Sequence, residues 1–340
     1  MRKSIFTALA AGAVVLAGCA RIETTEVPEG RVIGFDNFVT NAVKSIDNAE
    51  ALTTFFVYGG PANAYTDFNG VEVTKTAGVY EYNPAQYWDE SATYQFAAYS
   101  DENAKIADNV SFVTDEGDNQ YHLKIEGYTT DGSKDLVYAY TSDIQYATNS
   151  GTVTMDFRHI LSKIIFRFSK NETLNGSTIT ISDVKIVSAK NSGDFTGKDV
   201  TGNQYDYTCW NNQTGEEAFS FDFASASELT DQARSLDTNP ELLIPQQTGS
   251  TLLQVKFTLT PSGTIANAPY NKAAETFTVD LPSVSEDHWN PGYVYVYSAV
   301  ISAENFDLKP IVFDVSMTND WEDETVSGSD ILLDDAEPTV

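Results

Sequence analysis

Leu253-Gln254-Val255-Lys256-Phe257-Thr258-Leu259-Thr260 is the stretch that decides the fold, because its apolar and polar residues alternate without a break. Successive side chains of a β-strand point to opposite faces of the sheet, so this pattern predicts a strand with one buried face. The same alternation recurs in residues 94–99, 121–125, 277–281, 293–297 and 311–317. Turn signals separate such runs, including Asn69-Gly70, Asp131-Gly132-Ser133 and Asn175-Gly176-Ser177. Antiparallel strands in series predict an all-β fold of β-sandwiches.

A change of phase within residues 151–168 marks a division of the chain. Apolar residues occupy odd positions from Val153 to Leu161 and even positions from Ile164 to Phe168. This shift predicts a bulge near Ser162-Lys163, within one long bent strand or between two strands at a corner. We therefore expect two tandem sandwiches, an N-terminal one over 31–149 and a C-terminal one over 150–325. Short connecting helices are expected at 41–51 and 225–236, and 326–340 is expected to be an acidic tail or a donor segment.

The N-terminus has the layout of a secretory signal peptide. Arg2 and Lys3 precede an apolar run, Ile5 to Leu16, that is too short to span a bilayer. The ending Leu16-Ala17-Gly18-Cys19 resembles the lipobox of bacterial lipoproteins. That resemblance implies removal of residues 1–18, a diacylglycerol on the Cys19 sulfur and an acyl chain on its amine. An ordinary signal peptide with a chance cysteine is the alternative. With lipid on Cys19, residues 19–30 would be a tether to the outer membrane.

Composition narrows the partners of this 340-residue chain. It has 20 lysine and arginine residues against 49 aspartate and glutamate residues, for a formal net charge of −29. A body of that charge repels phosphate, so nucleic acid is excluded as a partner. Of the two cysteines, Cys19 is predicted to carry lipid, which leaves Cys209 without a disulfide partner.

Catalytic motifs are absent from the sequence, so we expect neither an enzyme nor a cofactor. There is no phosphate-binding loop, nucleophile elbow or paired Cys-x-x-Cys. The histidines, His122, His159 and His288, are far apart in sequence, which disfavours a metal site. His159 shares the apolar phase of its strand and is expected to be a hydrogen-bonded core imidazole. The acidic run 115–118 lacks the spacing of a calcium loop.

Several short motifs occur together and in a fixed order. They are Tyr87-Trp88, Tyr94-Gln95-Phe96-Ala97-Ala98-Tyr99, Asp135-Leu136-Val137-Tyr138-Ala139, Phe157-Arg158-His159-Ile160-Leu161-Ser162-Lys163-Ile164, Leu243-Ile244-Pro245-Gln246 and Trp289-Asn290-Pro291-Gly292-Tyr293. Together they resemble the fimbrillin family of Bacteroidales, which includes pilins and their anchor and tip relatives. The resemblance implies two transthyretin-like β-sandwich domains, display on the cell surface in a fimbrium, and assembly with other copies or related pilins by strand exchange.

The resemblance also implies a removable first strand, with Val32, Ile33 and Phe35 as its apolar residues. Family members are cut after a basic residue shortly beyond that strand, where this chain has Thr40-Asn41-Ala42. Processing would then use Lys44 or Arg31. If neither is cut, the subunit keeps its lipid and serves as an anchor.

The resemblance places the donor strand near the C-terminus, where two segments qualify. The first alternates Ile311, Phe313, Val315 and Met317. The second, residues 326–333, carries Ile331 and Leu333. The sequence does not separate them.

A second function stays open, that of a monomeric surface lipoprotein that binds glycans or host ligands. Its basis is a set of aromatic residues near polar turns that could stack on sugars: Tyr65, Tyr205, Tyr207 and Trp210.

Overall fold

The computed structural model describes residues 31–39, 51–62, 65, 67–106, 109–114, 121–149, 151–197, 206–221, 227–235, 241–249 and 252–318. Predictions for the leader, Cys19, the tether, Lys44, the expected helix at 41–51, the acidic run 115–118, Tyr205 and the C-terminal tail lie outside these residues.

Among the described residues, nine strands precede residue 160. They are β1 Gly34–Val39, β2 Thr54–Pro61, β3 Phe68–Thr76, β4 Val79–Glu81, β5 Tyr94–Asp101, β6 Val110–Thr114, β7 Tyr121–Thr129, β8 Leu136–Ile144 and β9 Thr152–His159. A single helical turn, α1 Tyr146–Asn149, joins β8 to β9.

Thirteen further strands follow within the described chain. They are β10 Ser162–Lys170, β11 Ser177–Ala189, β12 Ser192–Gly197, β13 Trp210–Thr214, β14 Glu217–Ser220, β15 Ser227–Glu228, β16 Arg234–Ser235, β17 Glu241–Leu243, β18 Gln254–Ile265, β19 Ala268–Pro269, β20 Glu275–Asp280, β21 Val294–Ile301 and β22 Phe313–Thr318. Short 3₁₀ helices occur at Glu172–Leu174, Tyr207–Cys209 and Ala303–Asp307.

The described strands form four sheets. A seven-stranded sheet has the order β1-β9-β8-β5-β2-β3-β4, and a four-stranded sheet the order β13-β12-β7-β6. A five-stranded sheet has the order β16-β10-β21-β22 with β17 also on β10. The six-stranded sheet runs β14-β11-β18-β19, with β15 on β11 and β20 on β18. The pairings between these strands are antiparallel except for β1 with β9 and β10 with β21.

Three apolar cores fill the spaces around these sheets. The first covers one face of the seven-stranded sheet and includes Phe35, Phe55 and Phe96. The second covers the opposite face, where Tyr99 and Tyr138 meet Phe195 and Trp210 of the four-stranded sheet. The third lies between the five- and six-stranded sheets. Burial of these apolar side chains is the main stabilising force of the fold.

The second core runs on into the C-terminal half of the chain. Ile165 of β10 and Val294 and Val296 of β21 belong to the same cluster as Tyr99 and Tyr138 of the seven-stranded sheet. The other face of β21, with Tyr295 and Tyr297, belongs to the third core. One strand therefore contributes to two cores.

The all-β class is confirmed, and so are the strands at the six alternating runs. The phase shift separates two strands, β9 and β10, which are joined through Ile160 and Leu161. The expected helix at 225–236 is wrong: its described residues contain no helix and include the short strands β15 and β16, because hydrogen bonds to β11 and β10 outweigh local helix preference.

The division at residues 149 and 150 stays a prediction. The sheet order adds that β12 and β13, which follow that division, pair in the sheet that contains β6 and β7.

Candidate assembly site around the first strand

The first strand lies at the edge of the seven-stranded sheet, parallel to β9. Its register runs from Gly34 opposite Thr152 to Val39 opposite Phe157. Side chains alternate, so Ile33 and Phe35 are fully or almost fully buried while Asp36 is exposed. Val32 is 40% exposed and forms an isolated bridge with Tyr87. Of the three residues predicted for the removable strand, two therefore point into the core and Val32 points outward.

Phe35 is enclosed by aromatic rings from elsewhere in the chain. Its ring centroid lies 5.3–6.4 Å from four others in mostly edge-to-face geometry: Phe55, Phe68, Tyr82 and Phe96. Edge-to-face aromatic pairs are worth about 0.5–1.5 kcal/mol each beyond the area they bury. The strand therefore covers an apolar groove whose walls come from β2, β3, β5 and the segment after β4.

Residues 82–88 hold the beginning of the strand through main-chain and side-chain bonds. The Ile33 amide donates to the Gln86 carbonyl at 2.9 Å, and the Trp88 amide donates to the Arg31 carbonyl at 2.8 Å. The Tyr82 hydroxyl donates to the Ile33 carbonyl at 2.7 Å. The sheet therefore curves so that β1, at one edge, meets residues 82–88, which follow β4 at the opposite edge.

Three tyrosines of this core, Tyr80, Tyr82 and Tyr94, have a raised pKa. Burial raises the pKa of Tyr82 to about 12, and burial also raises that of Tyr80 to about 12. The Tyr80 hydroxyl donates to the Leu52 carbonyl, and the Asp36 carboxylate of β1 adds to the rise in its pKa. The Tyr80 and Tyr82 phenols stay protonated and act as donors at neutral pH.

The two predicted processing residues differ in their setting. Arg31 is about half exposed and pairs with Glu90 at 3.0 Å, while its carbonyl is held by Trp88. Lys44 lies outside the described residues. Exposed ion pairs such as Arg31 with Glu90 contribute about 0–1 kcal/mol.

The first predicted donor segment is a strand of its own sheet in this structure. β22 pairs with β21, from Ala299 opposite Phe313 to Val294 opposite Thr318. Phe313 is buried with its ring 5.6 Å from that of Phe168, and Ile311 is also buried. Val315 is half-buried and Met317 is 45% exposed. Ile331 and Leu333 of the second segment lie outside the described residues.

The histidines occupy separate environments. His159 is buried with its Nδ1 in a hydrogen bond to Oδ1 of Asp135 at 3.0 Å, so the expected hydrogen-bonded core imidazole is present. The Nδ1 atom of His122 lies 3.1 Å from the Gly197 carbonyl, and His288 stacks on Tyr207. Within the described part of the chain, no three histidine, cysteine or acidic side chains are arranged to hold a metal ion.

Cys209 is buried and makes no disulfide. Burial raises the pKa of its thiol well above the ordinary value, and the nearby Asp206 carboxylate raises it further. A protonated, enclosed thiol is a poor nucleophile.

A cavity of about 600 Å³ lies where the ends of β5 and β7 meet β14 and β17. Its charged lining comprises Asp101, Asp131, Glu217, Glu241 and Lys134. Burial raises the pKa of Asp101, which accepts a hydrogen bond from Tyr128 at 3.1 Å. Four carboxyl groups against one lysine disfavour an anionic ligand there.

The aromatic residues considered for sugar binding differ in how far their side chains are exposed. Trp210 is 2% exposed, and its indole nitrogen donates to the Ile160 carbonyl at 2.7 Å. Tyr207 is half-buried against His288. Tyr65 is half-buried in a small cluster with Phe112 and Tyr121.

Sequence reasoning found the first strand but missed the residues that hold it. Tyr82 was not singled out, although it continues the alternation of Tyr80 on β4. Trp88 was noted only as part of a motif. Their contacts with Ile33 and Arg31 join residues about 50 positions apart, which local patterning cannot reveal.

Comparison with known proteins places the chain in a family. Residues 40–321 match the family described as Fimbrillin-like. The chain therefore belongs to the fimbrillin-like family. No curated protein matches it. In the described residues, no helix has both the length and the apolarity needed to cross a membrane.

Solved structures share the fold at low sequence identity. A fimbrial protein from Bacteroides vulgatus is 17% identical with a TM-score of 0.62, and the match covers 86% of this chain and 99% of that one. A candidate cell adhesion protein from Bacteroides uniformis is 15% identical with a TM-score of 0.50, over 86% and 99% of the two chains.

Proposed function

We propose that this chain is a structural subunit, stalk or anchor, of a cell-surface fimbria, exported as a lipoprotein and assembled by β-strand exchange. Membership of the fimbrillin-like family supports a fimbrial or adhesion-related surface protein with no catalytic role. The observation that carries the proposal is the enclosure of Phe35, on an edge strand near the chain's beginning, by four rings from elsewhere in the chain. A strand so placed can be replaced by one of similar pattern from another copy.

Loss of the first strand would expose an apolar groove. Ile33 and Phe35 would leave it, and Phe55, Phe68 and Phe96 would face water. Burying one such side chain is worth roughly 1.5–3 kcal/mol, so refilling these two positions returns about 3–6 kcal/mol. Main-chain bonds to β9 add direction and register. An open groove is also an aggregation hazard, which gives assembly a driving force.

Processing at Lys44 suits this role better than processing at Arg31. A cut after Arg31 leaves residues 32–39 joined to the body of the protein. A cut after Lys44 falls between β1 and β2 and separates the strand from everything that follows it. An uncut chain would stay on the outer membrane through lipid on Cys19 and act as the anchor.

The donor in this proposal is the segment with Ile331 and Leu333. Releasing residues 311–317 would remove Phe313 from its contacts with Phe166, Phe168 and Phe257. Truncation of a buried phenylalanine costs about 3–5 kcal/mol, and loss of the whole strand costs more. Donation of residues 326–333 leaves β22 in its sheet.

The test is polymerisation of purified chain starting at Ala20, cut at Lys44 by a lysine-specific protease. We expect a ladder of species that resists SDS, and the ladder should be absent with Lys44→Ala. The double change Ile331→Asp with Leu333→Asp should abolish the ladder and leave the monomer's unfolding midpoint unchanged. Val312→Asp is the matched control, because Val312 is 71% exposed. Cut chain that stays monomeric would refute strand exchange.

Glycan binding is the second candidate, favoured by one observation. Tyr65, Phe112 and Tyr121 form a half-buried aromatic cluster with ring centroids 4.2–6.0 Å apart. Partly exposed rings can stack on sugars. A glycan array tests this function. Binding should be lost with Tyr65→Ala and kept with Tyr87→Ala, because Tyr87 pairs with Val32 beside the first strand and not with the aromatic cluster. An array without hits refutes it.

A further inference from the structure

We propose that Tyr82, Gln86 and Trp88 form a clasp that keeps β1 in its groove after the chain is cut between β1 and β2. Release of the cut strand then requires a competing strand, supplied in the fimbria by a second copy of this chain. This inference rests on the proposed function, since it concerns the same groove.

The clasp and the cut lie at opposite ends of the strand. The clasp holds residues 31–33, whereas the cut falls beyond Val39, where the register with β9 ends. Cleavage there breaks no contact of the clasp. Every bond between residues 31–33 and the 82–88 segment is therefore available to the cut strand.

The clasp binds through several groups at once. Two main-chain bonds join Ile33 to Gln86 and Trp88 to Arg31, at 2.9 and 2.8 Å. Tyr82 contacts the strand twice: its hydroxyl donates to the Ile33 carbonyl at 2.7 Å, and its ring lies 5.7 Å from that of Phe35. Ile33 is 0% exposed, so these bonds are sheltered from water.

Trp88 ties the clasp to the other side of the strand. Its indole nitrogen donates to the Gly151 carbonyl at 3.3 Å, and the same carbonyl accepts from the Gly34 amide at 2.7 Å. The start of β1 is thus held between Trp88 and the residue that precedes β9. A strand held at both edges in this way leaves its groove slowly, because both sets of bonds must break together.

The experiment follows the cut strand in the isolated chain, without polymerisation. Chain from Ala20 that carries Ile331→Asp and Leu333→Asp, and is therefore expected not to polymerise, is cut at Lys44, and the N-terminal peptide is followed by size exclusion and mass spectrometry. We expect the peptide to co-elute with the body, and excess labelled peptide of residues 31–39 to replace it slowly. A peptide that leaves this non-polymerising body on the column, with Tyr82 intact, overturns the clasp.

Tyr82→Phe separates the hydrogen bond of the clasp from the ring contact with Phe35, because the ring stays and only the hydroxyl is lost. We expect exchange of the labelled peptide to be about five- to tenfold faster, the change expected for one net hydrogen bond. Tyr80→Phe is the matched control, since its hydroxyl bonds to Leu52 and not to β1. Equal exchange rates in the two variants would contradict the proposal.

Hydrogen exchange gives a second measurement in case Tyr82→Phe does not fold. In cut chain with Ile331→Asp and Leu333→Asp, the amides of Ile33 and Trp88 should stay as protected as in the same chain before cutting. Loss of their protection on cutting would overturn the clasp. Failure of the proposed function is distinct, because it would appear as cut chain that retains and exchanges its strand but forms no polymer.

Discussion

Phe35 is the residue on which the first core depends most directly. Four rings surround it, and it is 5% exposed. We predict that Phe35→Ala lowers the free energy of unfolding by about 3–5 kcal/mol, because the groove cannot collapse around the cavity. Urea unfolding measures this loss. Val32→Ala, on the same strand but 40% exposed, should change it by less than about 0.5 kcal/mol. Equal effects of the two substitutions would contradict the enclosure of Phe35.

Tyr80 and Tyr82 predict a dependence of stability on alkaline pH. Both have a folded-state pKa of about 12, raised by burial from 10.0. The folded state holds these protons more tightly than the unfolded state, so their stabilising contribution is complete below pH 10 and is lost as pH rises through 12. Unfolding midpoints measured between pH 9 and pH 12 should therefore fall, and the fall should be shallower in the double variant Tyr80→Phe with Tyr82→Phe. Tyrosinate absorbance that develops fully near pH 10 would contradict this.

At this scale the sequence predicted which residues of the first strand matter but not what they touch. The family resemblance implied a first strand with Val32, Ile33 and Phe35 as its apolar residues, and Ile33 and Phe35 are buried. The partner Tyr82 is brought close by long-range folding, so its role could not be read from neighbours in sequence. Asp135 beside His159 is a similar case: the burial of His159 was predicted, and its carboxylate partner was not.

Among the elements, β12 shows how closely two sheets approach. A Cβ atom added to Gly197 would lie 2.2 Å from Cζ of Tyr138 on β8. We predict that Gly197→Ala destabilises the chain by about 1–3 kcal/mol, because Tyr138 is fully buried and cannot move aside. The measurement is the urea midpoint.

Gly193 on the same strand is the matched control for that prediction. Its added Cβ would meet its nearest neighbours at 3.4 Å, which is ordinary contact. Gly193→Ala should therefore have a small effect. Equal losses from the two substitutions would mean that the close approach of β12 to Tyr138 is not the cause.

Element predictions succeeded where alternation was strong and failed where signals were local. Asn69-Gly70 predicted a turn, but both residues lie inside β3, where the register with β2 shifts between Val57 and Tyr58. Gly70 has a φ of 69°, so the glycine serves a bulge. The helix expected at 225–236 is wrong for a related reason: residues with helix preference there pair with β10 and β11.

For the molecule as a whole, the sheet order predicts that the N-terminal part does not fold alone. A fragment of residues 31–161 keeps β1 to β9 but lacks β12 and β13, whose Phe195 and Trp210 cover the second core. We predict a fragment without a cooperative unfolding transition and with weak near-ultraviolet circular dichroism. The chain of residues 31–318 should show both features in full. A fragment that unfolds cooperatively would contradict the prediction.

Composition and periodicity were sufficient for the all-β class, and the order of short motifs was sufficient for the family. The path of the chain between sheets was not predictable from sequence. The alternation of apolar and polar residues in a strand indicates which face is buried, but not which neighbouring strand covers that face. By its position in the sequence β12 belongs to the C-terminal half, yet it pairs with β7 of the N-terminal half.

The two-sided burial of β21 has a mechanical consequence. Val294 and Val296 on one face of the strand pack in the second core, and Tyr295 and Tyr297 on the other face pack in the third. A force applied to one core is therefore transmitted to the other through closely packed side chains rather than through a flexible hinge. If copies are linked as proposed above, we expect a fibre to bend mainly at the joints between copies.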